Sequence, residues 1–247
     1  MATFVLVPGF WLGGWAWHDV AAMLRANGHQ VFPATLTGLG ERKHLSSPQV
    51  NLDTHTLDVV NLIAYEDVNE VVLVGHSYAG IVITAVADRI PQRLARLVYV
   101  DTAPLPNGVA LVDFYPPELR KVYKHRVAAQ GDGWRLALPP WEELEQSGTA
   151  KDLDERMRNL MQSRATDMPF GAARQPSMLN NPERAKIPKT AIWCTTSSQQ
   201  VRQFIDGGNP MFRELTGPEW TFADLPTGHW PMFSKPRELA GLLQSGS

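Results

Sequence analysis

The 247-residue chain has room for one α/β domain with a large insertion, or at most two domains. Its hydrophobic content of 44% supports a substantial core, and a charged content of 19% fits helices buried on a sheet. A net charge of -2 gives no reason to expect nucleic acid or an anionic membrane as partner.

No apolar run reaches the length of a membrane span. The single cysteine, Cys194, lies in an apolar run and reads as a buried core thiol, which excludes an intramolecular disulfide and fits a reducing compartment. Met1-Ala2-Thr3 leads directly into an apolar strand without a signal-peptide pattern, so a soluble, cytoplasmic protein is expected.

In chain order, Phe4–Val7 reads as the first strand and ends in Pro8-Gly9-Phe10-Trp11-Leu12-Gly13-Gly14-Trp15, a loop of glycines and aromatics. Trp15 to Ala26 has helical spacing, with Asn27-Gly28 as its stop. Gln30 to Ala34 is a second short strand. Asp53 or Thr54 caps a helix that runs to about Tyr65. Val71–Val74 is a β-branched run typical of a buried parallel strand, Ile81–Ile90 a mostly buried helix stopped by Pro91, and Leu94–Val100 a further strand. This alternation predicts a parallel sheet with helices on both faces.

The alternation breaks between Pro104 and about Lys186, where prolines are frequent and helical patches appear at 118–129, 141–146 and 153–162. The expected organisation is therefore an α/β core over 1–103 and 187–247, with a mainly helical cap inserted at 104–186. Strand and helix resume with 189–195, 201–205, 220–225 and 236–243.

Chemistry concentrates in Gly75-His76-Ser77-Tyr78-Ala79-Gly80, placed between a strand and a helix. That context suits a strained turn with a nucleophilic Ser77 at its tip, and Gly75 supplies the small neighbour such a turn needs. The second glycine of the pattern is displaced, since Ala79 stands two residues after the serine and Gly80 follows. A serine hydroxyl needs a base, and His229, directly after the last strand, converges with Ser77 at the carboxyl edge of the sheet. His76 reads as packing or orienting. His18, His29, His44 and His55 read as surface or satisfied core residues. No spacing of His, Cys or acids indicates a metal, and no cofactor is expected.

The carboxylate behind His229 has two candidates. The turn after the penultimate strand, Thr195-Thr196-Ser197-Ser198-Gln199-Gln200, carries no acid. Asp101 ends the strand after Ser77 and is favoured, ahead of Asp206 and of a site without a true acid. Two backbone N–H groups should bind a developing oxyanion: that of Tyr78, after the serine, and that of Phe10, in the glycine loop.

With these pieces in place, the chain resembles the small α/β-hydrolases of the plant methylesterase and hydroxynitrile lyase group and their bacterial esterase relatives. The resemblance runs through Phe4–Trp17, Leu73–Gly80, Leu97–Pro106 and Gly228–Leu243, with the 104–186 segment less similar. It implies a six-stranded, mainly parallel sheet. It also frames three departures: Pro8 where the family has His, no Asp in the penultimate turn, and Gly9 and Trp230 where lyases carry Thr and Lys.

The expected activity is hydrolysis of a carboxylic ester of a small hydrophobic or aromatic substrate through an acyl-enzyme. The alternative is a lyase or cofactor-free oxygenase on the same scaffold. Trp11, Trp134 and Trp230 are the candidate pocket residues, and Trp15, Trp141 and Phe233 are further candidates for the same apolar or aromatic wall. The partner is a small-molecule ester. Oligomeric state is not readable from the sequence.

Overall fold

A computed structural model describes residues 1–245. Its strands are β1 (Thr3–Val7), β2 (Gln30–Pro33), β3 (Val71–His76), β4 (Leu94–Val100), β5 (Arg135–Leu136), β6 (Met168–Pro169), β7 (Lys189–Trp193) and β8 (Trp220–Asp224). Its helices are α1 (His18–Ala26), α2 (Leu52–Tyr65), α3 (Ala79–Arg89), α4 (Leu111–Phe114), α5 (Pro117–Gln130), α6 (Trp141–Gln146), α7 (Glu155–Arg164), α8 (Gly171–Arg174), α9 (Ser198–Asp206), α10 (Pro231–Ser234) and α11 (Pro236–Gln244).

Six strands form one sheet in the order β2-β1-β3-β4-β7-β8, and every neighbouring pair is parallel. The central strands explain why. All six residues of β3 are buried, and β4 is buried at all but one position, so both faces must be covered by helices. Among these helices α1 packs against α11, and α2 packs against α3. Helix α3 is itself buried from Ala79 through Ala87, as its continuous apolar run requires.

Helix α2 is capped by neither Asp53 nor Thr54 and starts at Leu52. Asn51 is the cap, accepting from the Thr54 N–H, while the Thr54 hydroxyl accepts from the Asn51 N–H. The turn before α1 is a short 3-10 segment over Gly14–Trp17 rather than α-helix.

The segment between β4 and β7 holds α4 to α8 and a two-stranded antiparallel pair, β5 with β6. The pair is too short to show period-two alternation, which is why the sequence displays only helical patches there. This segment is tied to loops of the sheet. Trp11 Nε1 donates to the Leu136 carbonyl at 2.9 Å, Thr166 N–H donates to the Trp11 carbonyl at 2.9 Å, and His229 N–H donates to the Thr149 carbonyl at 2.8 Å. Among the described residues, no helix is long and apolar enough to cross a membrane.

The β3–α3 turn brings strand, helix and the loop after β4 into close approach. A Cβ on Gly75 would lie 2.7 Å from the Ala79 carbonyl oxygen, and one on Gly80 would lie 2.7 Å from the Thr102 side chain. Gly75 therefore lets strand and helix close, and the displaced Gly80 lets the helix pass the loop after β4. Gly75→Ala is expected to destabilise the fold by about 1–3 kcal/mol, because the clashing atom is backbone and cannot rotate away. A lowered urea midpoint checks this, and an unchanged midpoint would show that the turn relaxes freely.

Candidate active site

Two strand ends build the centre in the same way. After β3, the Ser77 N–H still bonds across to the Val100 carbonyl of β4, and the chain then turns with Ser77 at φ 54°. After β4, the Asp101 N–H bonds to the Ile192 carbonyl of β7 at 2.8 Å, and the chain turns with Asp101 at φ 48°. Left-handed backbone is costly for residues with a Cβ, typically about 1–3 kcal/mol. Here it throws both side chains up from the carboxyl edge of the sheet, where the loop after β8 brings His229.

The three side chains meet. His229 Nε2 lies 2.8 Å from Ser77 Oγ, and His229 Nδ1 lies 2.6 Å from Asp101 Oδ2. Asp101 is buried, with its side chain 3% exposed, and would be costly there as a bare charge. It is not bare. Its Oδ1 accepts from the Cys194 and Thr195 N–H groups, each at 3.0 Å, and the Thr195 hydroxyl lies 2.9 Å from Oδ2. Burial pushes the carboxyl pKa up. The hydrogen bond and charge of His229, with the two backbone donors, outweigh burial and hold it below the ordinary aspartate value. Asp101 is thus an anion whose Oδ2 accepts from the imidazole, and it fixes the proton on Nδ1. That leaves Nε2 free to take a proton from Ser77 Oγ.

Asp206, the other acid considered, ends α9 as an exposed residue beside a separate small cleft with Arg202 and Trp220, not beside His229. The turn expected to carry an acid instead carries Thr195, which donates to Asp101. Thr195 had no signal in the sequence beyond its position.

Phe10 and Tyr78 both line the cavity above Ser77, and among the described residues neither N–H is used in a hydrogen bond. Their rings touch, with centroids 4.9 Å apart. Gly9 brings this loop close: a Cβ there would lie 2.9 Å from Ser77 Cβ.

Two buried histidines surround the centre. His76 Nε2 lies 2.6 Å from the His229 carbonyl and so donates to it, tying the strand residue before Ser77 to the loop that carries His229. His55 is fully buried, bonded to the Tyr78 hydroxyl at 2.8 Å and the Thr37 carbonyl at 2.9 Å. The sequence marked it only as a helix residue without a visible partner, because Thr37 and Tyr78 are distant along the chain.

The cavity measures about 520 Å³ and includes Ser77, His229 and Asp101 among its walls. Trp11 and Trp230 line it, as does a set of rings on the inserted segment and α9, including Phe114, Tyr123 and Phe204. Trp134 does not. It sits in the turn leading to β5, where its carbonyl accepts from Phe170 N–H and its ring lies under the Arg135 guanidinium. Trp15 stacks on Phe233 with centroids 5.7 Å apart, and Trp141 is a buried residue whose Nε1 donates to Glu145. Trp15, Trp141 and Phe233, like Trp134, are not among the residues that line the cavity. Cys194 is buried, and burial raises its thiol pKa.

Burial also lowers both histidines: His55 to about 4, with the Thr37 bond and Asp58 opposing, and His76 further, helped by neighbouring His229. Each binds a proton more weakly folded than unfolded. Their contribution to stability is therefore complete above about pH 6.5 and is lost as the pH falls toward about 4, at up to about 1.4 kcal/mol per pH unit for each ring. The urea midpoint is expected to fall between pH 7 and pH 5, and more gently in His55→Gln, which cannot ionise; equal slopes in the two proteins would contradict this assignment.

A family model described as the alpha/beta hydrolase family matches residues 4–242. A carbendazim hydrolyzing esterase from Nocardioides sp. (strain SG-4G) is 35% identical over 248 residues, covering 97% of both chains. Esterase PIR7B from Oryza sativa subsp. japonica is 27% identical, over 97% of this chain and 93% of its own. Among solved structures, an extracellular alpha/beta-hydrolase from a Paenibacillus species superposes with a TM-score of 0.83 at 24% identity, covering 100% of this chain and 99% of that one. With its parallel sheet, its strand–turn–helix serine and a match over nearly its whole length, this chain belongs to the alpha/beta hydrolase family.

Proposed function

We propose that the protein is a serine esterase acting on neutral, apolar carboxylic esters. The observation that carries this reading is the unbroken hydrogen-bond chain Ser77–His229–Asp101 at the wall of a mainly apolar cavity. Likeness to relatives named as esterases supports it.

Ser77 Oγ attacks the ester carbonyl carbon while its proton passes to His229 Nε2. The carbonyl oxygen becomes an oxyanion held by the Phe10 and Tyr78 N–H groups. Collapse of this intermediate expels the alcohol, which takes the proton from His229, and leaves an acyl group on Ser77. Water then attacks the acyl carbon with His229 as base, releasing the acid and restoring the serine. Asp101 stabilises the imidazolium at both stages. No metal or cofactor takes part. Residues 104–186 act as a cap over the site, and the lone buried cysteine favours a cytoplasmic setting.

Asp101 permits a sharp test. In Asp101→Asn, the Cys194 and Thr195 N–H groups hold the amide oxygen at the Oδ1 position, which turns the NH2 toward His229. Nδ1 must then accept, the proton moves to Nε2, and His229 cannot take one from Ser77. Turnover of phenyl acetate should fall roughly 10⁴-fold with the fold intact, as in other wrong-tautomer sites. Ser77→Ala should abolish turnover and labelling by a serine-directed phosphonate, whereas Asp206→Asn should change little. Substantial activity in Ser77→Ala, or a larger loss in Asp206→Asn than in Asp101→Asn, would sink the assignment.

The substrate class follows from the mouth of the cavity. Phe114 and Phe204 are 41% and 48% exposed, and Phe212 lies between them, stacked on Phe204 at 5.2 Å and edge-on to Phe114 at 6.2 Å. Among the described residues, the only charged pair in the wall away from the centre, Arg126 with Glu143, is already mutually neutralised. An uncharged ring-bearing arm on the ester would cover these exposed faces. Phe204→Ala should lower kcat/KM for 4-phenylphenyl acetate roughly tenfold while leaving phenyl acetate within about twofold. Equal losses for both esters would remove the aromatic arm from the reading.

A further inference from the structure

We propose that His55 is a positioning residue for the oxyanion-binding N–H groups, acting through the hydroxyl of Tyr78. The proposal rests on the serine esterase reading and goes beyond it. Neither nitrogen of His55 reaches the cavity, so its role must be carried by what it holds.

The hydrogen bonds determine which tautomer is present. The Thr37 carbonyl can only accept, so His55 Nε2 carries the proton and donates to it. Nδ1 is then a bare lone pair, and the Tyr78 hydroxyl at 2.8 Å must be the donor. This orientation is locked from behind. Asp58 accepts from the Thr37 N–H at 2.6 Å and from the Thr37 hydroxyl at 2.8 Å. Arg42 donates to the same hydroxyl and pairs with Asp58 at 3.0 Å. Thr37 is thus fixed from its own backbone and side chain, Thr37 fixes His55, and His55 fixes the far end of Tyr78.

Tyr78 is 1% exposed and has two ends with different duties. Its backbone N–H makes no hydrogen bond among the described residues at the cavity wall beside Ser77, while its ring lies against the ring of Phe10 at 4.9 Å. Phe10 is the other N–H donor. One buried hydroxyl bond therefore sets the lateral position of a ring that contacts both halves of the oxyanion site. Displacing either donor by a fraction of an ångström weakens a hydrogen bond that is strongest to the tetrahedral intermediate rather than to the ester. Buried polar pairs of this kind also stabilise a fold, so the test must separate geometry from stability.

The discriminating measurement is a split between kcat and KM, joined to the affinity of an aryl trifluoromethyl ketone. Ser77 Oγ adds to its carbonyl carbon, the hydroxyl proton passes to His229, and the carbonyl oxygen becomes an oxyanion in the same site. Tyr78→Phe keeps the ring and deletes only the hydroxyl. His55→Leu deletes both ring nitrogens. Each should lower kcat for phenyl acetate roughly 10- to 100-fold, with KM within about twofold and the ketone weakened in parallel with kcat. His55→Asn, whose amide oxygen falls near the Nδ1 position, should recover part of the loss. If His55→Leu fails to fold, Tyr78→Phe alone decides the matter. Retention of kcat within about twofold in Tyr78→Phe, a loss confined to KM, or undiminished ketone affinity would each overturn the proposal. A wild-type protein without turnover would instead overturn the esterase reading.

Discussion

The structure depends on two adjacent parallel strands that end in the same way. Each passes one more N–H to its neighbour and then turns through left-handed backbone, at Ser77 after β3 and at Asp101 after β4. The extra ladder bond pins each residue to the sheet, and the turn lifts its side chain off the sheet's edge. Neither conformation is favourable on its own. The surrounding packing enforces both: no Cβ at position 75, where the helix carbonyl passes, and none at 80, where the loop after β4 passes. Close approach around the turn and exposure of Ser77 at its tip are one constraint.

The placement of the acid follows from that geometry. With Asp101 raised from the end of β4, the next strand along, β7, ends directly behind it, and the backbone N–H groups of Cys194 and Thr195 meet its inner oxygen. A carboxylate at the end of β7 would place a second anion against the first. Threonine at 195 supplies donors instead, two on one residue. The acid and the turn behind it therefore form a unit in which backbone donors hold the anion's inner oxygen, and its outer oxygen is shared by the Thr195 hydroxyl and His229. This accounts for an aspartate that stays ionised although it is largely buried.

Much of this was legible in the sequence because the informative features were local. The β-branched runs, Pro91 after a helix, and glycines around Ser77 each report on their own few residues, and β4 and α6 coincide with their predicted bounds. What escaped was either short or distant. The β5–β6 pair has two residues a strand, and α4 and α8 are single turns held by tertiary contacts. Trp134 looked like a pocket wall because a tryptophan advertises apolar surface without saying which way it faces; its ring lies under Arg135 instead. His55 looked idle because its partners, Thr37 and Tyr78, stand 18 and 23 residues away. Hydrogen bonds across such separations leave no periodic trace.

The inserted segment bears on the chemistry through backbone as well as through cavity walls. Its Thr149 carbonyl holds the His229 N–H, and its Thr166 N–H and Leu136 carbonyl hold the backbone and indole of Trp11, next to Phe10. Gly228 has no room for a Cβ because the Thr149 and Lys151 carbonyls stand 2.6 and 2.4 Å from where it would be. The loops carrying the proposed base and one proposed oxyanion donor are therefore each clamped between the sheet and the insertion. Movement of the insertion large enough to open the cavity would have to break or carry these bonds. Access to the cavity and alignment of the proposed base are mechanically linked, and the aromatic rings of Phe114 and Phe204, exposed to solvent as they stand, offer the proposed apolar ester a way to Ser77 that leaves His229 undisturbed.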